Sequence, residues 1–175
     1  TSLPCILYNV PSRTVRNLDK ETIVKLSQIE NIVGVKEAIG TTAPGFTEQV
    51  SYVINNARKG FLVWSGNDSD TLPILALGGY GIISVASHLV GKQIAEMINA
   101  FVSGKTDKAA EIHRHLMPLF KDLFLIANPM PVKWAVDQVA GFRVGKPRLP
   151  LLEADEKTQT TLRNTLKNYK IDLPV

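Results

Sequence analysis

Four side chains invite a chemical reading because each stands where a short apolar run stops. They are Tyr8 after Cys5-Ile6-Leu7, Lys36 after Ile32-Val33-Gly34-Val35, Ser65 (with Gly66) after Phe61-Leu62-Val63-Trp64, and Ser84 after Gly81-Ile82-Ile83. Lysine is the most informative of them. An ammonium group is rarely buried unless it is paired or working, and a desolvated lysine sheds its proton and becomes an amine nucleophile toward carbonyls. The plainer alternative for Lys36 is the first solvated residue after a strand. Four hydrogen-bonding or reactive residues at four corresponding strand ends favour the chemical reading, provided that the strands run side by side in one direction.

The elements that would arrange this are legible in the pattern. Short β-branched runs at 5–8, 33–36, 61–65 and 81–85 alternate with amphipathic segments, and no two-residue hairpin turn separates them. Asn9 to Thr14 reads as a loop broken by Pro11. Asp19 caps a helix to about Ile29, with Ile23, Leu26 and Ile29 at helical spacing and Glu21 in the first turn. Phe46 to about Asn55 is a second helix, and Ser69 or Asp70 caps a short one through Leu77. Strand, helix, strand, helix without hairpins means parallel β/α units. Right-handed crossovers then bring all four carboxyl ends to one sheet edge, where α/β folds bind ligands. Beyond Val85 the pattern is helical, over about 90–102, 108–126, 131–139 and 155–169, with Leu116, Leu119, Phe120 and Leu123 as a packing face.

The chain has 175 residues and a net charge of +4. Its charges are dispersed, without a basic block interleaved with aromatics, so nucleic acid is not expected as a partner. No apolar run approaches the length of a membrane span. Cys5 is the lone cysteine, which excludes a disulfide framework; it reads as an inert core residue, and a reducing, cytoplasmic setting is the default. His88, His113 and His115 lack partners at metal-ligand spacing. Gly78-Gly79-Tyr80-Gly81 precedes a strand instead of following one, the wrong context for a phosphate loop, and reads as a tight helix-to-strand turn. Lys133, just after Pro131 at a helix start, reads as a surface residue.

Several motifs, in order, carry a resemblance. Tyr8-Asn9-Val10-Pro11-Ser12-Arg13-Thr14 and Gly34-Val35-Lys36-Glu37-Ala38 resemble the signature of the pyruvate-dependent class I aldolase superfamily, the group of N-acetylneuraminate lyase and dihydrodipicolinate synthase. Gly78 to Val85 matches a further segment of it. Pro11-Ser12-Arg13-Thr14 and Asn128-Pro129-Met130-Pro131-Val132-Lys133-Trp134-Ala135 resemble the synthase branch. The resemblance implies a (β/α)8 TIM barrel with a C-terminal helical extension. An eightfold barrel takes roughly 250 residues, whereas this chain offers four β/α units and a helical tail, and it opens at Thr1 almost inside a strand. The expectation is therefore the C-terminal half, strands five to eight over 1–103, with the helical extension over 104–175. The first half would hold the pyruvate carboxylate loop, a hydroxyl relay threonine and a tyrosine reaching across a subunit interface.

The resemblance also implies roles. Lys36 forms a Schiff base with pyruvate; the imine, as electron sink, gives an enamine that attacks L-aspartate 4-semialdehyde, and transimination by the substrate amine closes the ring to 4-hydroxy-tetrahydrodipicolinate and frees Lys36. Tyr8 passes protons, Arg13 holds the semialdehyde carboxylate, Ile83 offers its backbone carbonyl to the pyruvate end, and Gly66 lets substrate approach the backbone. No cofactor or metal is expected. The implied setting is lysine (diaminopimelate) biosynthesis, with assembly as a homotetramer built from dimers. Many relatives carry glycine after the Arg-Thr pair, where this chain has Val15; a β-branched residue resists positive φ, which bears on the loop path and on where Arg13 sits. Two other readings compete: a lyase for N-acetylneuraminate or a keto-sugar acid, against which Arg13 and the 128–135 segment argue, and a non-catalytic half-barrel that binds or assembles with a partner. The chain alone is expected to be inactive.

Overall fold

The computed structural model describes residues 1–172. Four parallel strands form one sheet in the order β1-β2-β3-β4: β1 Cys5–Asn9, β2 Ile32–Glu37, β3 Leu62–Ser65 and β4 Gly81–Ile82. Each pairs with its successor along the chain, so β1 and β4 are open edges, and among the described residues no further strand closes a barrel. Compactness divides the chain between Ser84 and Val85, ahead of the boundary after residue 103 that the resemblance implies. The helix over 87–102 thus groups with the helices that follow it.

In the first unit, one sheet face is covered by helices and the other is open. Leu7, Val35 and Val63 lie in register across the sheet. Val35 and Val63 are buried with Ile23 of α2 (Lys20–Leu26), Phe46, Val50 and Val53 of α3 (Phe46–Asn56) and Ile74 of α4 (Thr71–Ala76). Strand side chains alternate between faces, so Ile6, Tyr8, Lys36 and Trp64 point the other way. That face keeps Ile6 44% and Tyr8 50% exposed. Gly34 lies on it too, and a methyl group there would stand 2.4 Å from both the Leu62 carbonyl oxygen and the Trp64 ring. Glycine at this position lets the Trp64 indole lie across β2.

The connections follow local chemistry. Asp19 caps α2 by accepting from the Thr22 amide at 2.8 Å. The helix stops at Leu26, one turn short of the expected Ile29, where the Ser27 hydroxyl turns back to the Val24 carbonyl. The expected 9–14 loop contains one helical turn, α1 (Pro11–Thr14), with Pro11 in its first turn, where no amide is needed. The turn from α4 into β4 uses Gly78 at φ +100° and Gly79, whose missing side chain makes room for Ile74. β4 ends at Ile82, three residues short of the expected Val85. Cys5 is only partly buried, at the exposed start of β1, and not in the core.

The second unit is helical: α5 Ser87–Val102, α6 Thr106–Asp122, α7 Met130–Val139 and α8 Glu156–Leu166. α5 starts earlier than the expected Val90 but breaks its helical geometry at that residue. Leu116, Leu119, Phe120 and Leu123 are buried as expected, together with Leu89, Ile94, Met97, Val132, Ala135 and Leu162. The Thr165 hydroxyl donates to Asp122, and the Tyr169 hydroxyl to the His115 carbonyl, tying the last helix to α6.

Candidate active site

Parallel register sets the site. Tyr8 pairs with Lys36, and Lys36 with Trp64, which places three long side chains in one row on the open face. The Lys36 Nζ lies 4.2 Å from the centroid of the Tyr8 ring, within range of a cation–π contact. Lys36 is half-buried rather than enclosed, and its neighbours on the same face, Ile6 and Tyr8, are exposed. Trp64 is held from beyond by an edge-on contact with Tyr80, ring centroids 5.7 Å apart. Of the four strand-end residues, then, two share a face. Ser65 pairs with Glu37 in the next row, is fully buried on the opposite side, and donates its hydroxyl to the Asn67 carbonyl at 2.7 Å. The Ser84 hydroxyl donates to the buried Asp68 carboxylate.

Arg13 sits in α1, exposed, and among the described residues its guanidinium forms no ion pair. The loop holding it ends in a conformation that the side chain does not favour: Val15 has φ +58° and ψ +11°, the left-handed region, with its amide donating to Pro11. The chain therefore takes the turn that a glycine would take there, with a valine. Ile83 follows β4, and its amide donates to the Ser65 carbonyl at 3.0 Å. Gly66 packs against β2; a side chain on it would come within 2.7 Å of the Ala38 Cβ and 3.0 Å of the Glu37 carbonyl. Strand packing alone therefore accounts for glycine at this position.

Sequence reasoning missed the polar cluster behind the lysine. Glu37, next to Lys36 and pointing to the helix side, is 2% exposed. Its carboxylate accepts from Asn9 Nδ2 (2.9 and 3.1 Å), Gln49 Nε2 (3.0 Å) and the Ile39 amide (2.9 Å). Burial pushes its carboxyl above the ordinary range, against the pull of these donors. Asn9 Oδ1 accepts from the Leu18 amide at 3.0 Å, Asn9 Nδ2 also reaches Asn17 Oδ1 at 2.7 Å, and Asn17 Nδ2 donates to Gln49 Oε1 at 2.8 Å. The available signal was alternation itself: two adjacent charged residues at a strand end must face opposite sides. Among the described residues no three His, Cys, Asp or Glu side chains gather as a metal site, and no helix is long and apolar enough to cross a membrane.

Comparison with known proteins identifies the family of the chain. The model of the dihydrodipicolinate synthetase family matches residues 1–169. The chain is 61% identical over its whole length to the 4-hydroxy-tetrahydrodipicolinate synthase of Dehalococcoides mccartyi, of which it covers 57%. It is 48% identical over 97% of its length to that of Heliobacterium modesticaldum, of which it covers 55%. Among solved structures, the dihydrodipicolinate synthase of Aquifex aeolicus superposes with a TM-score of 0.89 at 39% identity, covering 99% of this chain and 57% of that one. The Thermotoga maritima enzyme gives 0.86 at 42%, covering 95% and 56%. The chain thus spans little more than half the length of the relatives it matches, and this coverage fixes the extent of the match, not its position along them. From motif, fold and sequence identity together, the chain belongs to the dihydrodipicolinate synthetase family.

Proposed function

We propose that this chain carries the Schiff-base lysine of a 4-hydroxy-tetrahydrodipicolinate synthase and that it corresponds to the second half of that enzyme's (β/α)8 barrel, strands five to eight over 1–103, followed by the helical extension over 104–175. The observation that carries the reading is the Tyr8–Lys36 pair, an amine 4.2 Å from a phenol ring on adjacent parallel strands, near their carboxyl ends, on the uncovered face. Support for the second-half placement comes from the order of the motifs and from the run of helices after β4.

On this reading Lys36 attacks the pyruvate carbonyl as a free amine. Water leaves, and with the protonated imine as electron sink the methyl carbon gives up a proton through the Tyr8 relay, leaving the enamine. Tyr8 relays protons, Arg13 grips the carboxylate of L-aspartate 4-semialdehyde through paired hydrogen bonds, and the Ile83 carbonyl and Gly66 line the pyruvate end. The enamine carbon attacks the aldehyde, and the substrate's amine displaces Lys36. The half-exposed apolar face of Ile6, Tyr8 and Trp64 is where the first barrel half docks, bringing the dry surroundings that a neutral lysine requires. The assembled enzyme is a cytoplasmic homotetramer of lysine biosynthesis, and this chain by itself does not turn over.

Intact mass spectrometry after pyruvate and borohydride tests the reading. In the full-length enzyme the expected result is one reduced pyruvate adduct, mapped to Lys36 and absent in Lys36→Ala. An adduct on another lysine, or none, overturns it.

A further inference from the structure

We propose that Glu37 is a positioning residue for the second substrate: its buried carboxylate, acting through Asn9 and Gln49, fixes the return of the loop that carries Arg13. This rests on the Schiff-base reading above and on Arg13 as the carboxylate-binding group.

The loop leaves β1 after Asn9 and comes back at Asn17 and Leu18. Both ends meet at the Glu37 cluster. Asn9 bridges it, holding the Glu37 carboxylate with its amide nitrogen and the Leu18 amide with its oxygen. Gln49 of α3 bridges it again, donating to Glu37 at 3.0 Å and to the Leu18 carbonyl at 3.3 Å while accepting from Asn17. Between these anchors lie α1, with Arg13, and the left-handed Val15. Without anchors, a loop ending in an unfavourable conformation relaxes, and Arg13 moves with it.

Every side-chain and backbone group that reaches the Glu37 oxygens is a donor, so position 37 must be acceptor on both sides. Glutamine would point its amide at Asn9 Nδ2 or Gln49 Nε2. Turning Asn9 around does not help, because its nitrogen would then face the Leu18 amide, another donor. Moving the carboxylate instead of deleting it solves the pattern. With Glu37→Gln and Asn9→Asp together, the carboxylate now at position 9 accepts from the amide now at position 37 and from the Leu18 backbone N–H. Amide flips of Gln49 and Asn17 satisfy the other side-chain partners, and only the 3.3 Å donation from Gln49 to the Leu18 carbonyl is given up.

Lys36 projects to the opposite face, so imine formation does not depend on this cluster. In the full-length enzyme, Glu37→Gln is expected to raise the KM for L-aspartate 4-semialdehyde on the order of tenfold, while the KM for pyruvate and the yield of borohydride adduct at Lys36 stay within about twofold. The Asn9→Asp, Glu37→Gln double variant should recover most of the loss. A parallel rise in both KM values, or no recovery in the double variant, overturns the inference and leaves Glu37 as a fold determinant. A wild-type enzyme without the adduct removes the reading beneath it as well. If Glu37→Gln does not fold, Gln49→Ala, which keeps the carboxylate and cuts one anchor, must raise the same KM several-fold; an unchanged value overturns the inference.

Discussion

Replacing Val15 by glycine should stabilise the first unit, although it removes an apolar side chain. The residue is 88% exposed, so its side chain contributes almost no burial. Its φ of +58° brings Cβ against the neighbouring carbonyl, a strain of about 1–2 kcal/mol for an L-residue in the left-handed region. Glycine relieves that strain but has more freedom to lose on folding, which takes back about 0.5–1 kcal/mol. The net gain is then about 0.5–1 kcal/mol, or a rise of roughly 2–8 °C in melting temperature for a unit of this size. Thermal unfolding followed by Trp64 fluorescence, in a Trp134→Phe background, reads the first unit specifically. Asparagine, which tolerates the left-handed region, should fall between glycine and valine, and alanine should stay close to valine. If the turn were extended instead, β-propensity would put valine first and glycine last. That reversed ranking would refute the assignment of strain to Val15.

Two further outcomes follow from packing and charge. Gly34→Ala should destabilise the first unit by about 1–3 kcal/mol, since a rigid backbone carbonyl cannot yield to the new methyl; urea unfolding gives the loss, and the emission of Trp64, displaced from its place over β2, should shift even in the folded protein. In the second unit, burial and then the neighbouring Arg114 hold the His113 imidazole below its ordinary 6.5. The unfolded chain therefore takes up this proton first, so stability should decline as pH falls through 6.5 and level off below the folded-state value. Urea midpoints measured from pH 7.5 down to 5 should show a shallower decline in His113→Gln.

Much of the architecture was legible because it rests on local patterns. Isolated β-branched runs, the Asp19 cap and the α6 face Leu116–Leu119–Phe120–Leu123 are each written within a few neighbouring residues. The Tyr8–Lys36 pairing followed once parallel β/α units were assumed, since corresponding strand ends then become neighbours. Ser65 was misjudged by a single step: at a strand end one residue decides between the open face and the buried one, and the register that settles it is a property of two strands. The Asn9–Glu37–Gln49 cluster was illegible for a related reason. Its members stand 28 and 12 residues apart and come together only through the pairing of β1 with β2 and the packing of α3. Val15 was read as an obstacle to the turn; the loop is held firmly enough at both ends to impose the turn on it.

The strictly sequential strand order also bears on how the sheet is made. Each strand finds its partner in the strand before it, no strand has to wait for a distant one, and the closure entropy of each step is that of a single β/α unit. Growth can therefore proceed along the chain during synthesis, each new strand laid on a template already in place. The same economy leaves the two outer strands as live templates. In a closed ring they would satisfy one another through the other half, whereas here they present unpaired amides and carbonyls to any extended chain that arrives. On the proposed half-barrel reading, pairing with the other half of the barrel competes with self-association at these edges, and the outcome is set by concentration and timing as much as by stability.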